Sequence, residues 1–162
     1  MAAKQASLQD RFLNAVRRSH QPVSLFVMKG VRLQGLISGF DAYAVELRHD
    51  GKAQLVYKHS IATVMPAVEL DGLELADPGD DPKASLQDRF LAAALRQGEA
   101  LTVFLVNGVM LQGEVAAFDQ FSILLRRGRI SQLVYKHAIS TIQPEGTLST
   151  APEESRATEA AD

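Results

Sequence analysis

The chain has 162 residues, 46% hydrophobic and 22% charged, with no cysteine and a formal net charge of −2 at pH 7. That length suits one medium domain or two very small ones, and the missing cysteine excludes disulfides, thiolate chemistry and the common zinc sites. No apolar run approaches the roughly 20 residues that a membrane span needs, and the opening MAAKQASLQD lacks the apolar core of a secretory leader, so a reducing cytoplasmic setting is expected.

The charge is unevenly spread. Residues 67–84 carry −5 and residues 145–162 carry −4, which leaves +7 on the two blocks between and before them. The segments with folding signals are therefore basic, and the acidity sits in a linker and a tail.

In chain order, Ser7 followed by Asp10 reads as a capped helix start, with the acid suited to the helix N-terminus. Leu8, Phe12 and Val16 then share one helical face, and Pro22 is expected to end the helix. VSLFVMKGVRLQGLISGF follows as two strands split by Lys29-Gly30. Turns are expected at Asp41-Ala42 and Asp50-Gly51, and the last two strands, AQLVY and SIATVM, are parted only by Lys58-His59.

After the linker, which reads as flexible, the same text returns. SLQDRFL at Ser7–Leu13 recurs at Ser85–Leu91, and LVYKH at Leu55–His59 recurs at Leu133–His137, all at an offset of 78. Residues 7–66 and 85–144 align without a gap. In the second copy Leu86, Phe90 and Ala94 form the helical face and Gly98 stops the helix. Asn107-Gly108 is a strong two-residue hairpin signal, with further turns at Asp119-Gln120 and Arg127-Gly128. The reading is mainly β, an α-β-β-β-β-β unit written twice: repeat 1 over 1–66, acidic linker 67–84, repeat 2 over 85–144 and a disordered acidic tail 145–162. Five short antiparallel strands behind one helix make a bent sheet or partial barrel with exposed edges. A unit so small, without a disulfide or metal, calls for self-association.

SLQDRFL, then NGVMLQGEVAAFDQF, then SQLVYKHAISTI, resembles the Hfq family of bacterial Sm-like RNA chaperones. The resemblance implies a bent five-stranded Sm-like fold and a ring of six units around a pore. With two units per chain, a homotrimer supplies six; six chains in two stacked rings are the alternative. It also implies RNA partners: U-rich and A-rich single strands, small regulatory RNAs and mRNA.

By the same resemblance, Gln9, Tyr43, Lys58, His59, Gln87, Gln120, Phe121, Lys136 and His137 belong to a proximal face that holds U-rich RNA and 3′ ends. The lysines and histidines are expected to project toward the pore as a cationic collar for phosphate, Tyr43 and Phe121 to stack on bases, and the glutamine amides to read a uracil edge. Ala42 stands where the family has a glutamine, so alternate pockets should differ. The distal, A-rich face matches Phe26, Gly30, Val31, Arg32, Gln34, Gln54 and Thr63. Its second copy is Phe104, Gly108, Val109, Met110, Gln112, Gln132 and Thr141. Arg17, Arg18, Arg48, Arg96 and Arg126 resemble the arginine rim, with Leu95 replacing one arginine. Tyr57 and Tyr135 are expected to support the corner, and Asp41 and Asp119 to hold turns.

No cofactor is expected: His20, His49, His59 and His137 lack metal-ligand spacing. No nucleophile elbow, P-loop or paired carboxylate points to an enzyme. An Sm-like ring that serves as a protein scaffold without chaperone activity is the alternative function.

Overall fold

The computed structural model describes residues 7–70, 73, 75 and 83–148, and the bulk of the acidic linker and the tail lie outside that range. The first unit runs α1 (Leu8–Ser19), β1 (Val23–Val27), β2 (Arg32–Phe40), β3 (Ala44–His49), β4 (Lys52–Tyr57) and β5 (Ile61–Pro66). The second repeats it as α2 (Leu86–Gln97), β6 (Ala100–Leu105), β7 (Met110–Phe118), β8 (Ser122–Arg127), β9 (Ile130–Tyr135) and β10 (Ile139–Pro144). One-turn 3₁₀ segments, Lys58–Ser60 and Lys136–Ala138, join the last two strands of each unit.

Both helices begin as their sequence dictates. Ser7 Oγ and Ser85 Oγ accept from the backbone N–H of Asp10 and Asp88, each at 3.2 Å. Their ends differ from expectation in one unit. Gly98 closes α2 in the left-handed region at φ 61°, but α1 is closed by His20 at φ 54° rather than by Pro22. Pro22 lies two residues further on and only ensures that the helix does not resume. The first hairpins also differ from a two-residue turn. Val27 N donates to Val31 O and Leu105 N to Val109 O, each at 2.8 Å, with Gly30 (φ 87°) and Gly108 (φ 90°) taking the left-handed position inside wider loops. Asn107 Oδ1 accepts from Val109 N at 3.1 Å, an Asx turn that Lys29 cannot reproduce.

All ten strands form one antiparallel sheet in the order β10-β6-β7-β8-β9-β5-β1-β2-β3-β4. The units are joined at β5 and β9, where Thr63 lies opposite Val134 and Val64 opposite Leu133. A single core cluster crosses this junction, with Leu8, Phe12, Leu25, Ile61 and Val64 from the first unit against Ala117, Leu124, Leu133 and Tyr135 from the second. The first unit also extends past Pro66. Gln21 Oε1 accepts from Val68 N at 2.6 Å, and Leu70 and Leu73 pack on that core.

The junction makes equivalent residues unequal. Leu8 is 1% exposed and its counterpart Leu86 72%; Leu133 is 0% exposed and Leu55 58%; Tyr135 is 2% exposed and Tyr57 51%. Each buried member is covered by the other unit, and sealing one such side chain contributes about 1.5–3 kcal/mol. The exposed members mark the two unpaired edges, β4 and β10.

Gly35 and Gly113 sit where β2 and β7 cross close to the next strand. A methyl group on Gly113 would lie 2.8 Å from Arg126 O, and one on Gly35 would collide with Arg48 O. Gly39 has nothing within 4 Å of a new Cβ. Gly35→Ala and Gly113→Ala should each lower unfolding free energy by about 1–3 kcal/mol in urea titrations, as overpacking does, while Gly39→Ala stays near wild type.

Candidate nucleic-acid interface

Two turns of each unit are locked together at the Lys-His corner. Asp41 Oδ1 accepts from Tyr43 N and Ala44 N, both at 2.8 Å. Asp119 Oδ1 accepts from Phe121 N at 2.8 Å and from Ser122 N at 2.6 Å. These aspartates hold turns, as expected, and the backbone N–H of Tyr43, then of Ala44, pulls the Asp41 carboxyl below its usual range. The turns leave Tyr43 and Phe121 with exposed rings. Lys58 N donates to Tyr43 O at 2.8 Å and Lys136 N to Phe121 O at 2.9 Å, so each cationic corner is fixed beside an aromatic face.

Across the internal junction, three polar ties complete the arrangement. Asp119 Oδ2 accepts from Gln9 N at 3.0 Å, satisfying a first-turn N–H of α1 from the other unit. Tyr135 donates its hydroxyl to Gln9 Oε1 at 3.0 Å; burial pushes the phenol's pKa far up, so it remains a donor. His137 Nε2 lies 2.8 Å from Ile61 O, and because a carbonyl only accepts, that nitrogen carries the proton. The Tyr135 and His137 rings stack with centroids 5.2 Å apart.

Together these groups line a cleft of about 680 Å³. Ser7, Gln9, Asp10, Ala42, Lys58 and His59 come from the first unit, and Gln120, Phe121, Tyr135 and His137 from the second. The structure thus brings six of the proximal-face residues of the sequence reading, Gln9, Lys58, His59, Gln120, Phe121 and His137, into one composite cleft. Gln87 lies at the exposed start of α2, with Leu86 bare beside it.

The lysines are partly desolvated. Lys58 is buried, with its ammonium 5.7 Å from the Phe40 ring centroid, and Lys136 lies 6.0 Å from Phe118. Both lie along half-buried aromatic rings, where an aliphatic stem gains by covering apolar surface, and Lys58 lines the cleft. Desolvation lowers both pKa values below the usual 10.5. Asp10, Asp41 and Asp119 oppose the shift at Lys58, and Asp88 and Asp119 oppose it at Lys136. The histidines, His59 and His137, are the exposed half of each corner.

The residues matched to the distal face gather by strand register. Phe26 lies opposite Arg32 on one side and Thr63 on the other, as Phe104 does with Met110 and Thr141. The Arg32 guanidinium lies 5.9 Å from the Phe26 ring, and its Nε donates to Ser24 Oγ at 3.1 Å. Gly30, Val31, Gln34, Gln54, Gly108 and Val109 are exposed, and Gln112 and Gln132 are half-buried. Thr63 is buried at the internal junction, whereas Thr141, on the open edge, is exposed. The five rim arginines are exposed. Arg17 bonds Asn14 Oδ1, and Arg48 lies 3.7 Å from Glu46. Sequence reasoning missed Ser7, Asp10 and the Tyr135–Gln9 bond as parts of the cleft. No local signal marks them, since their partners belong to the other copy.

A family model described as Hfq protein matches residues 8–71 and, separately, 86–149. The RNA-binding protein Hfq of Caulobacter vibrioides is 50% identical over 80 residues, spanning 49% of this chain and 98% of that protein. The RNA-binding protein Hfq of Cereibacter sphaeroides is 51% identical over 81 residues, spanning 50% of this chain and all of that protein. A crystal structure of the pleiotropic translational regulator Hfq aligns with 35% identity and a TM-score of 0.34, covering 35% of this chain and 95% of that one. The Caulobacter and Cereibacter relatives are named as RNA-binding proteins, and each corresponds to about half of this chain. With both of its units matched, each carrying the helix, the five strands and the Lys-His corner, the chain belongs to the Hfq family.

Proposed function

We propose that the protein is an RNA chaperone whose units close into a six-membered ring of three chains. U-rich RNA and 3′ ends bind at the Lys-His clefts, and A-rich RNA binds along the Phe26 and Phe104 strands. The arginine rim brings small RNAs and mRNA together for post-transcriptional regulation in the cytoplasm. The observation that carries this reading is the composite cleft between the two units.

Its chemistry favours uracil. Gln9 lines the cleft and its amide oxygen accepts from Tyr135, which leaves the NH₂ as the group it can offer a ligand. Lys58 adds an ammonium, and Gln120 a further amide. A lining rich in donors suits the two carbonyl oxygens of uracil, whereas adenine and cytosine place an amino group on the same edge. Phe121 offers a stacking face, and the cation beside it suits phosphate.

The ring follows from repeating the internal junction. Setting β10 of one chain on β4 of the next in the same register puts Thr141 opposite Val56 and Ile142 opposite Leu55. That contact covers Leu55, Tyr57 and Leu86, and closes the second class of cleft from Tyr43, Gln87, Lys136 and His137. Head-to-tail pairing of this kind removes every free edge only when it closes.

Native mass spectrometry should give three chains, and three chains with one strand when a short oligouridine is added. Six chains would indicate stacked rings. A quadruple Lys58→Ala, His59→Ala, Lys136→Ala, His137→Ala variant should keep the assembly and lose RNA. An unchanged RNA complex would remove the cleft from the binding site, and a wild-type ring that takes up no RNA would leave the scaffold function.

The desolvated lysines give a second test. Each folded pKa lies below the unfolded value of 10.5, so the folded protein holds these protons less tightly. Wild-type stability therefore rises with pH through the window between the depressed pKa and 10.5. Lys58→Met should match or exceed wild-type stability at pH 7 in urea titrations, and that advantage should vanish above the unfolded lysine pKa. Its oligouridine affinity should fall at least about tenfold at neutral pH, as loss of a charge-assisted phosphate or base interaction implies.

Ala42 supplies the third. It lies in the cleft where the second unit has Gln120, so Ala42→Gln should raise the preference for oligouridine over oligocytidine without altering the assembly. Equal preference in direct competition would show that the position does not read the base.

A further inference from the structure

The two open edges carry almost no charge. β4 has one charged side chain, Lys52, and β10 has none until Glu145 follows it. Glu145 N donates to Ala100 O at 2.9 Å, as Ala67 N does to Pro22 O at 3.0 Å, so each final strand keeps its pairing one residue past its proline. Lys52 and Glu145 are both exposed, and among the described residues neither forms an ion pair.

The internal junction shows what these two positions meet. Thr63 lies opposite Val134 and Val64 opposite Leu133, so the same register continues to Ala67 opposite Ile130. The matched positions of the second junction are Glu145 of one chain and Lys52 of the next. Directly opposed side chains share one face of the sheet with Cβ atoms about 5 Å apart, close enough for an ion pair. An apolar pair at one junction is thus an acid and a base at the other. Their surroundings agree in sign. Glu99 accepts from Gly146 N, which sets a second carboxylate beside Glu145. His49 lies opposite Lys52, and Asp50, the acid of that hairpin tip, is already paired with His49 at 3.2 Å.

We infer that the partner of the open edges is a second copy of this chain, selected by a cross-strand ion pair between Glu145 of one copy and Lys52 of the next. The pair rests on the ring proposed above and supplies what holds its chains in register. Sliding one edge by two residues puts Glu145 against Gln54 or Asp50, neither of which is a cation. Pairing β4 with β4, or β10 with β10, sets no opposite charge against either residue. Backbone hydrogen bonding permits all of these arrangements, and the charges favour one. What depends on that choice is the second cleft, which takes Gln87 and Lys136 from one copy and Tyr43 and His59 from the next.

The test follows assembly of the full chain by analytical ultracentrifugation over a dilution series at low salt. Glu145→Lys and Lys52→Glu each place like charges at all three junctions. A loss of about fivefold per junction compounds to about 125-fold in the trimer constant, or about elevenfold in the concentration of half-assembly. Each variant should therefore need about tenfold more protein than wild type, a deficit that shrinks at about 0.5 M salt. Combining Glu145→Lys with Lys52→Glu should restore assembly to within about twofold of wild type. An equimolar mixture of the two single variants should form mixed trimers below the concentration at which either assembles alone, because two of their three junctions are complementary. Thermal unfolding of the dilute chains should match wild type, since both side chains are exposed.

Single variants that assemble like wild type would overturn the inference and leave the ring standing, as would a double variant no better than the singles. Wild type that stays a single chain at every concentration would remove the ring and the ion pair together.

Discussion

The rest of the structure depends on the pairing of β5 with β9. A five-stranded bent sheet of about sixty residues has two edges and a thin core, and neither is stable when left to water. Joining the units by strand pairing removes one edge from each and buries Leu8, Leu133 and Tyr135 at the same contact. It also makes the cleft. Gln9 meets Asp119 and Tyr135, and His137 meets Ile61, only because the two sheets are in register. Shifting the pairing by one residue would turn Val64 and Leu133 outward and separate all three contacts. The geometry of the cleft therefore rests on the register of the strand pairing.

The junction also explains why costly groups are kept. A lysine held against Phe40 with a depressed pKa is a poor way to stabilise a core, since desolvation of the ammonium opposes folding. Its neighbours are arranged to limit that cost without neutralising it: Asp10, Asp41 and Asp119 all favour the charged form, yet none forms a close pair with Lys58 among the described residues. A cation held near carboxylates but not committed to one is available to a ligand. The same economy applies to Gln9, whose oxygen is taken and whose NH₂ is not.

Much of this is legible in the sequence, for local reasons. Caps, turns and strand alternation are set by neighbours in the chain, so Ser7, Asp41, Asp119 and the one-turn Lys-His corner are readable from residue type and spacing. The repeat itself announces two units. What escapes depends on competition or on distance. His20 adopts the left-handed cap two residues before Pro22 has any effect. Charge alone does not show that Lys58 and Lys136 run along Phe40 and Phe118, where a four-carbon stem gains by covering the ring. The acidic composition of residues 67–84 suggests a free linker, yet Gln21 and the core tie down Val68, Leu70 and Leu73. None of the contacts across β5–β9 is visible, because a repeat makes each residue look equivalent to its copy. Leu8 and Leu86 are the same letter in the same motif, and only the join tells them apart.

That loss of equivalence is what the fusion of two units makes available. In an assembly of identical single units every substitution appears at every junction, so a change that helps one contact and harms another is felt all round. Here the internal junction and the open one can diverge separately. The copies have done so at matched positions: Gln120 against Ala42, Arg17 against Leu95, Arg127 against His49, Gln21 against Glu99. These differences are not scattered. The internal junction has Arg17, Arg127 and Arg129 where the open edges have Leu95, His49 and Gly51. In the proposed ring a covalent join keeps one junction complete at any concentration, whereas the other would form only on encounter. Placing the more arginine-rich positions at the permanent junction would leave the other free to be tuned for association, where balanced charge avoids repulsion between copies of a chain whose folded blocks are basic.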